Sequence, residues 1–274
     1  MTEQLSHIQE LIESRASKSS RLIAIASGKG GVGKSNLAVN LGIAIARQNK
    51  RVIVVDADTN LANIDVLFGL SPKNTLLNYV LDNYPLKDIL IHHESGVDIL
   101  PNASGSPVWH NIDDSIKASF YRLLFQLQRS YDFVLMDTAP GLSPLTIDLL
   151  CQVDENIIVT TPEPPAISDA YALIKIMNSI KKDIKVNLLL NMVYSVAEVA
   201  DVYQRFSLVL KHFLGVSIGI IGYITHDEHV RMAVKKQEPL VLAFPESTAA
   251  SDIQNVATTV LANKEFINDL VAFY

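Results

Sequence analysis

The chain has a single cysteine, Cys151, among 274 residues, which excludes an intramolecular disulfide, and no Cys/His cluster has zinc spacing. Cys151 follows an apolar run and is expected in the core; a reducing, cytoplasmic setting fits. No apolar run reaches the roughly 18 residues of a membrane span. The opening "MTEQLSHIQELIESRASKSS" lacks the apolar core of a signal peptide, so a soluble protein is expected. A basic surplus is also missing: the net charge of −6 gives no general pull toward nucleic acid or an anionic membrane. No internal repeat, low-complexity tract or Pro/Gly-rich linker divides the chain. One domain over residues 21–262 is expected, with a helix and linker over 1–20 before it and an amphipathic tail over 263–274 after it.

What is abundant is apolar surface. Hydrophobic residues make up 49% of the chain against 19% charged, which suits a sheet buried on both faces. Short β-branched runs alternate with longer helical patterns. Strands are predicted at 21–27, 51–58, 97–101, 131–138, 156–161, 185–193 and 216–224, with helical stretches such as "KSNLAVNLGIAIARQN" and "ASFYRLLFQLQRS" between them. This βαβ repetition predicts an α/β fold, a mostly parallel twisted sheet with helices on both faces.

The strongest motif is "SGKGGVGKSN", Ser27 to Asn36. Gly28-x-x-x-x-Gly33-Lys34-Ser35 satisfies the P-loop pattern, follows a predicted strand and opens a predicted helix. Such glycines let backbone N–H groups close around phosphate oxygens at a helix N-terminus, where Lys34 can reach the β and γ phosphates. Ser35 supplies a hydroxyl for Mg²⁺. The nucleotide-binding set is therefore Gly28, Lys29, Gly30, Gly31, Val32, Gly33, Lys34, Ser35 and Asn36. Asp56 and Asp58 end a predicted strand in "VIVVDADTN", where carboxylates can hold Mg²⁺ or orient a water but also cap helices. In "FVLMDTAPGL", Asp137 follows an apolar run and precedes Pro140-Gly141, the pattern of a metal-side aspartate and a mobile switch, with a helix cap as the other reading. His226 and His229 have no third ligand nearby and are expected to be solvated.

Lys34 fills the P-loop role by itself, and the earlier Lys29 makes "KGGVGKS" resemble the deviant Walker A motif of the MinD/ParA family of P-loop ATPases. The resemblance spans residues 20 to 262. It implies Mg²⁺-dependent hydrolysis of ATP in an ATP-dependent homodimer, with Lys29 reaching the phosphates of the partner subunit. Catalysis would rest on Lys29, Lys34 and Asp58, the last positioning the attacking water. The metal would lie with Ser35, Asp56 and Asp137, and Asn191, at the end of "NLLLN", is similar to the family's adenine-reading residue. Where the family carries a proline near the base, this chain has Thr225; where it carries a glycine after the switch aspartate, this chain has Asn60.

"DADTNLANIDVLFGL", "DTAPGLS", "TTPEPPAISDAYALIK" and the Asn36 after Lys34-Ser35 resemble one branch, the flagellar-number regulators FlhG (also FleN or YlxH). That branch implies a switch acting on the placement or number of flagella. Its partners would be an FlhF-type GTPase and flagellar basal-body or regulator proteins, with peripheral contact at the inner face of the cell membrane. The alternatives are a MinD-like division-site regulator and a ParA-like DNA-partition ATPase; DNA is not an expected partner. "EQLSHIQ" resembles the "DQAxxLR" element that acts on the GTPase, with Gln4 identical. In the tail, Phe266, Ile267, Leu270, Val271, Phe273 and Tyr274 share a helical face, while Lys264, Glu265, Asn268 and Asp269 form a polar face without the basic excess of a membrane-surface helix.

Overall fold

The computed structural model describes residues 20–110 and 113–263; the expectations for the N-terminal element and the C-terminal tail lie outside them. Eight strands form one sheet in the order β3-β4-β2-β5-β1-β6-β7-β8. They are β1 (Arg21–Ala26), β2 (Val52–Ala57), β3 (Ile91–His92), β4 (Val97–Leu100), β5 (Phe133–Thr138), β6 (Glu155–Thr160), β7 (Val186–Val193) and β8 (Gly219–Thr225). All neighbours are parallel except β3 with β4. The helices are α1 (Lys34–Ala46), α2 (Ile64–Leu67), α3 (Leu76–Asp82), α4 (Asp114–Ser130), α5 (Pro144–Gln152), α6 (Pro164–Ile180), α7 (Val196–Leu214), α8 (Glu228–Lys236), α9 (Leu240–Ala243) and α10 (Thr248–Ala262).

Because successive strand residues point to opposite faces, each central strand feeds two cores. In β1, Leu22, Ala24 and Ala26 join the layer that packs on α4 to α7, whereas Ile23 and Ile25 join the layer that packs on α1 and α10. Both sets are buried, which is why these strands read as unbroken apolar runs. The predicted α/β architecture is the one observed. Two details differ. The two-residue edge strand β3, paired Ile91 with Ile99 and His92 with Asp98, is too short to carry a readable period. The last strand starts at Gly219 rather than at residue 216, because Gly215 ends α7 at a φ of 67° and the Val216 N–H turns back to the Leu210 carbonyl.

The strand beginnings are tied by charge. Glu155, buried at the start of β6, accepts from Arg21 at the start of β1, from Lys185 Nζ at 3.1 Å and from Asn187 Nδ2 at 2.7 Å. Arg21 also donates to the Val260 carbonyl of α10, and Lys185 to Asn263 Oδ1 at 2.8 Å. Burial raises the Glu155 pKa, and the positive charges of Arg21 and Lys185 outweigh it, leaving the carboxyl below its ordinary range. Glu155→Gln is therefore expected to cost about 2 kcal/mol at neutral pH in urea unfolding. The Glu155 contribution is fully present above the unfolded-state pKa of about 4.3 and is lost as pH falls through the lower folded-state value. The gap between variant and native chain should accordingly close in acid; a gap independent of pH would show that the ionised carboxylate is not what stabilises this end.

Candidate functional site

β1 runs straight into the loop 27–33, and Gly33, at φ 88°, is the cap residue from which α1 starts with no side-chain cap. The first N–H groups of α1 therefore stand open at the loop, the arrangement that attracts anions. Two glycines are demanded by close approach. A Cβ on Gly28 would lie 2.3 Å from the Asp169 carbonyl in α6, and one on Gly33 would lie 2.2 Å from Asn191 Nδ2. Asn191, near the end of β7, donates through Nδ2 to the Val32 carbonyl at 2.8 Å, so β7 holds the loop from the side.

Lys34 is buried and bonds Asp137 Oδ1 at 2.5 Å, with Ser35 Oγ 3.4 Å from the same ammonium. β2 and β5 are adjacent and in register at Asp56 and Asp137, so two carboxyls meet beneath the loop and Asp58 follows on the same strand end. Burial drives the Asp137 pKa up; Lys34 and Ser35 pull it down, and the balance stays raised. Burial, and then Asp137, push Asp56 up to about 8 against three backbone N–H donors. Asp137 alone pairs with Lys34, Asp56 and Asp58 are buried at the neighbouring strand end, and Asp137 Oδ2 accepts no hydrogen bond. A buried acidic surplus with an orphaned oxygen beside a serine hydroxyl fits a hard divalent cation such as Mg²⁺. Ser35 and Asp137 are the two groups there that could hold one.

Asp56 is differently engaged. Its Oδ1 accepts from the Asp58 N–H and its Oδ2 from Asn63 and Ile64, at 3.0 and 3.2 Å, so it shapes the loop after β2 and starts α2. Asp58 Oδ1 accepts from the N–H groups of Asn60 and Leu61. Asp56 thus reaches the first N–H groups of α2, as the capping reading allows, whereas Asp58 makes an Asx turn within the loop and caps no helix. Asp58 also lines a cavity of about 360 Å³ with Lys29, Gly30, Gly31, Val32, Gly33, Lys34, Ser35, Asn36 and Pro140. Ser27 and, from the stretch "DADTNLANIDVLFGL", Leu61, Asn63 and Leu67 complete its wall. Lys29 is exposed, and its positive charge helps to hold the Glu163 carboxyl below its usual range, after the Thr161 hydroxyl and the residue's own N–H.

Gly33, Asn36 and Asn191 also line a second cavity of about 300 Å³, closed by Thr225, His226, Asp227, Glu228 and Arg231 at the end of β8 and the start of α8. Val32's carbonyl can only accept, so the amide end of Asn191 facing it is the NH₂ and the atom left over is Oδ1, an acceptor. His226 and His229 are exposed but not simply solvated: His226 stacks on Tyr194 at 5.2 Å, and His229 bonds Asp227 and packs on Phe244. The sequence points to this second wall through the family resemblance, which sets Asn191 and the segment at Thr225 near the base, and through the rule that open α/β sheets bind ligands at strand carboxyl ends.

The family model described as ParA, NUBPL iron-transfer P-loop NTPase, matches residues 18–261. The chain is 37% identical over 240 residues to the antiactivator FleN of Pseudomonas aeruginosa, covering 88% of this chain and 86% of that one. It is 31% identical over 273 residues to the flagellum site-determining protein YlxH of Helicobacter pylori, covering 97% and 92%. Among solved structures it is similar to the septum site-determining protein MinD of Pyrococcus horikoshii OT3 complexed with Mg-ADP, with a TM-score of 0.71, 25% identity and coverage of 89% and 97%.

The two loop glycines at positive φ separate strain from crowding. Gly31, at φ 84°, has open space where a Cβ would sit, so Gly31→Ala should cost only the left-handed strain, about 1 kcal/mol. Gly33→Ala also displaces the Asn191 amide and should cost roughly 3 kcal/mol. Thermal unfolding of the two variants without nucleotide measures the difference; equal costs would mean that the Asn191–Val32 bond contributes nothing to holding the loop.

Proposed function

The chain belongs to the ParA/MinD family of P-loop NTPases, and on that footing we propose that it is an ATP-dependent dimerising switch that hydrolyses ATP and regulates the placement or number of flagella. The single observation that carries the chemistry is the buried Lys34–Asp137 pair beneath an open helix N-terminus, with an orphaned Asp137 oxygen and a surplus of carboxyls around it. Proteins of this family are generally ATPases, and the similarity to a MinD complexed with Mg-ADP supports the same ligands here. The flagellar reading rests on 37% identity to FleN and the match to YlxH. Division-site placement is the alternative, from likeness to MinD at lower identity.

In this reading the loop N–H groups of residues 28–35 bind phosphate oxygens and Lys34 balances the β and γ charges. Ser35 and Asp137 would hold Mg²⁺, which would supply neutralising positive charge to the phosphates, while Asp56 fixes the loop that carries Asp58. Asp58 orients the attacking water. Lys29, solvent-facing on the cavity wall, serves the partner subunit, so that charge neutralisation, and with it hydrolysis, waits on assembly. Asn191 Oδ1 accepts from the exocyclic amine of adenine and would oppose the carbonyl of guanine. Iron–sulfur carriage, suggested by the family model's description, is not proposed: clusters are held by several thiolates, and Cys151 is the only cysteine and is buried.

Light scattering of the Asp58→Ala variant should give a dimer with Mg-ATP and a monomer with Mg-ADP, and Lys29→Ala should lower the ATPase rate by about 100-fold or more. Monomers with both nucleotides, or an unchanged rate in Lys29→Ala, would overturn the trans-acting role. Disrupting the gene should change the number or position of flagella per cell, and an unaltered count removes the flagellar assignment while leaving the ATPase intact. Asn191→Ala should lose about tenfold in preference for ATP over GTP, measured by competition binding; retained selectivity would place base reading elsewhere in the second cavity.

A further inference from the structure

Behind the two cavities, one buried amide has no part in the chemistry described so far. Asn40, on α1 and 1% exposed, donates through Nδ2 to the Asn36 carbonyl and to Asn36 Oδ1, both at 2.8 Å. Its Oδ1 accepts from the Val241 N–H of α9 at 3.0 Å. A backbone N–H can only donate, so Val241 fixes which end of the Asn40 amide faces α9 and which faces Asn36. The orientation passes on. The Asn36 atom that meets a donor must be Oδ1, which leaves Asn36 Nδ2, with its two hydrogens, as the end that Asn40 does not engage.

Asn36 lines the cavity of Lys29 to Ser35 and also the cavity of Asn191 and Thr225. Between the terminal phosphates and the base of a nucleotide spanning the two lie the α-phosphate and the ribose. Asn36 is also the third residue of α1, and Leu37 is the first whose N–H finds a helical carbonyl, that of Gly33 at 2.9 Å. The Asn36 N–H therefore belongs to the open, electropositive end of the helix. A side-chain donor added there suits an anionic oxygen better than a neutral ribose hydroxyl. Leu240, beside Val241, lines the second cavity as well, so Asn40 bonds the supports of both walls from behind.

On the nucleotide-binding reading given above, we propose that Asn40 is a positioning residue: it holds Asn36 with Nδ2 outward, as a donor to a non-bridging oxygen of the α-phosphate. A released Asn36 can turn either end outward, and its Oδ1 would oppose the phosphate. Asn40→Asp keeps the size and the acceptor for Val241 but turns the donor into a second acceptor, which draws Asn36 Nδ2 inward. Asn40→Leu removes the donor without adding charge.

Calorimetric titration with ADP and with the two diastereomers of its α-thio analogue tests this, with Mg²⁺ present throughout so that the metal's own preference is common to all forms. Sulfur accepts hydrogen bonds weakly, so the native chain should bind one diastereomer about fivefold or more less tightly than ADP. Asn40→Asp should weaken ADP binding about tenfold or more and Asn40→Leu about threefold, each with that discrimination reduced toward unity. In an Asn36→Ala background neither substitution should have a further effect. Partial unfolding of a variant lowers the apparent affinity for ADP and for the analogue equally, so the ratio still reports the orientation of Asn36. An unchanged ratio in Asn40→Asp, or a loss that persists in full in the Asn36→Ala background, overturns the role of Asn40 and leaves nucleotide binding standing. A native chain that binds neither ADP nor ATP overturns the nucleotide reading itself, and this role with it.

Discussion

A buried lysine needs a counter-charge, and in this molecule Asp137 supplies it. The pair joins the P-loop to β5 across 103 residues of sequence, and removing either partner would strand the other in a medium that penalises lone ions by several kcal/mol. The constraint reaches further because Asp137 sits in register with Asp56. A single lysine cannot neutralise Asp56, Asp58 and Asp137 together; burial raises the Asp56 and Asp137 pKa values, and backbone N–H groups are directed at Asp56 and Asp58. The loop after β2 is therefore folded around the same charge imbalance that makes the site receptive to a cation.

The P-loop is held by contact as well as by charge. Gly28 lies against the Asp169 backbone and Gly33 against the Asn191 amide, so α6 and β7 fix the loop before any phosphate arrives. Asn191 lines the second cavity with Thr225 and Glu228 and bonds Val32 of the first cavity's wall. One side-chain amide thus restrains the phosphate loop with its donor and faces the second cavity with its acceptor.

The sheet was legible in the sequence because strands buried on both faces write continuous apolar runs, and seven of the eight were readable this way. β3, at two residues, was not. The phosphate loop was legible because its requirements are backbone requirements: Gly28 and Gly33 stand where no Cβ fits. What a side chain does once the chain has folded was less so. Asp56 and Asp58 at a strand end fit metal chemistry and capping equally until the path of residues 59–64 is known. The second cavity is lined from β7, β8 and α8 by residues of no fixed spacing, and Glu155 finds Arg21 134 residues away. Long-range pairing of charges follows from sheet order, and sheet order is not written locally.

A parallel sheet separates its chemistry by polarity. Strand carboxyl ends carry the two cavities, strand amino ends carry the Glu155 network, and six residues of strand put roughly 20 Å between them. One element spans both. α10 begins where Asp227 accepts from the Ala249 N–H and Asp252 from the Thr225 N–H, at the wall of the second cavity. It ends where Arg21 takes the Val260 carbonyl and Lys185 takes Asn263. Its inner face, Ile253, Val256, Ala257 and Val260, is buried along the whole length, so it moves as a rod or not at all. A shift of the β8–α8 loop on closing over a ligand is opposed at one end of this helix by Asp227 and Asp252 and at the other by the Glu155 network. α10 is therefore a helix anchored at both the ligand end and the opposite end of the sheet.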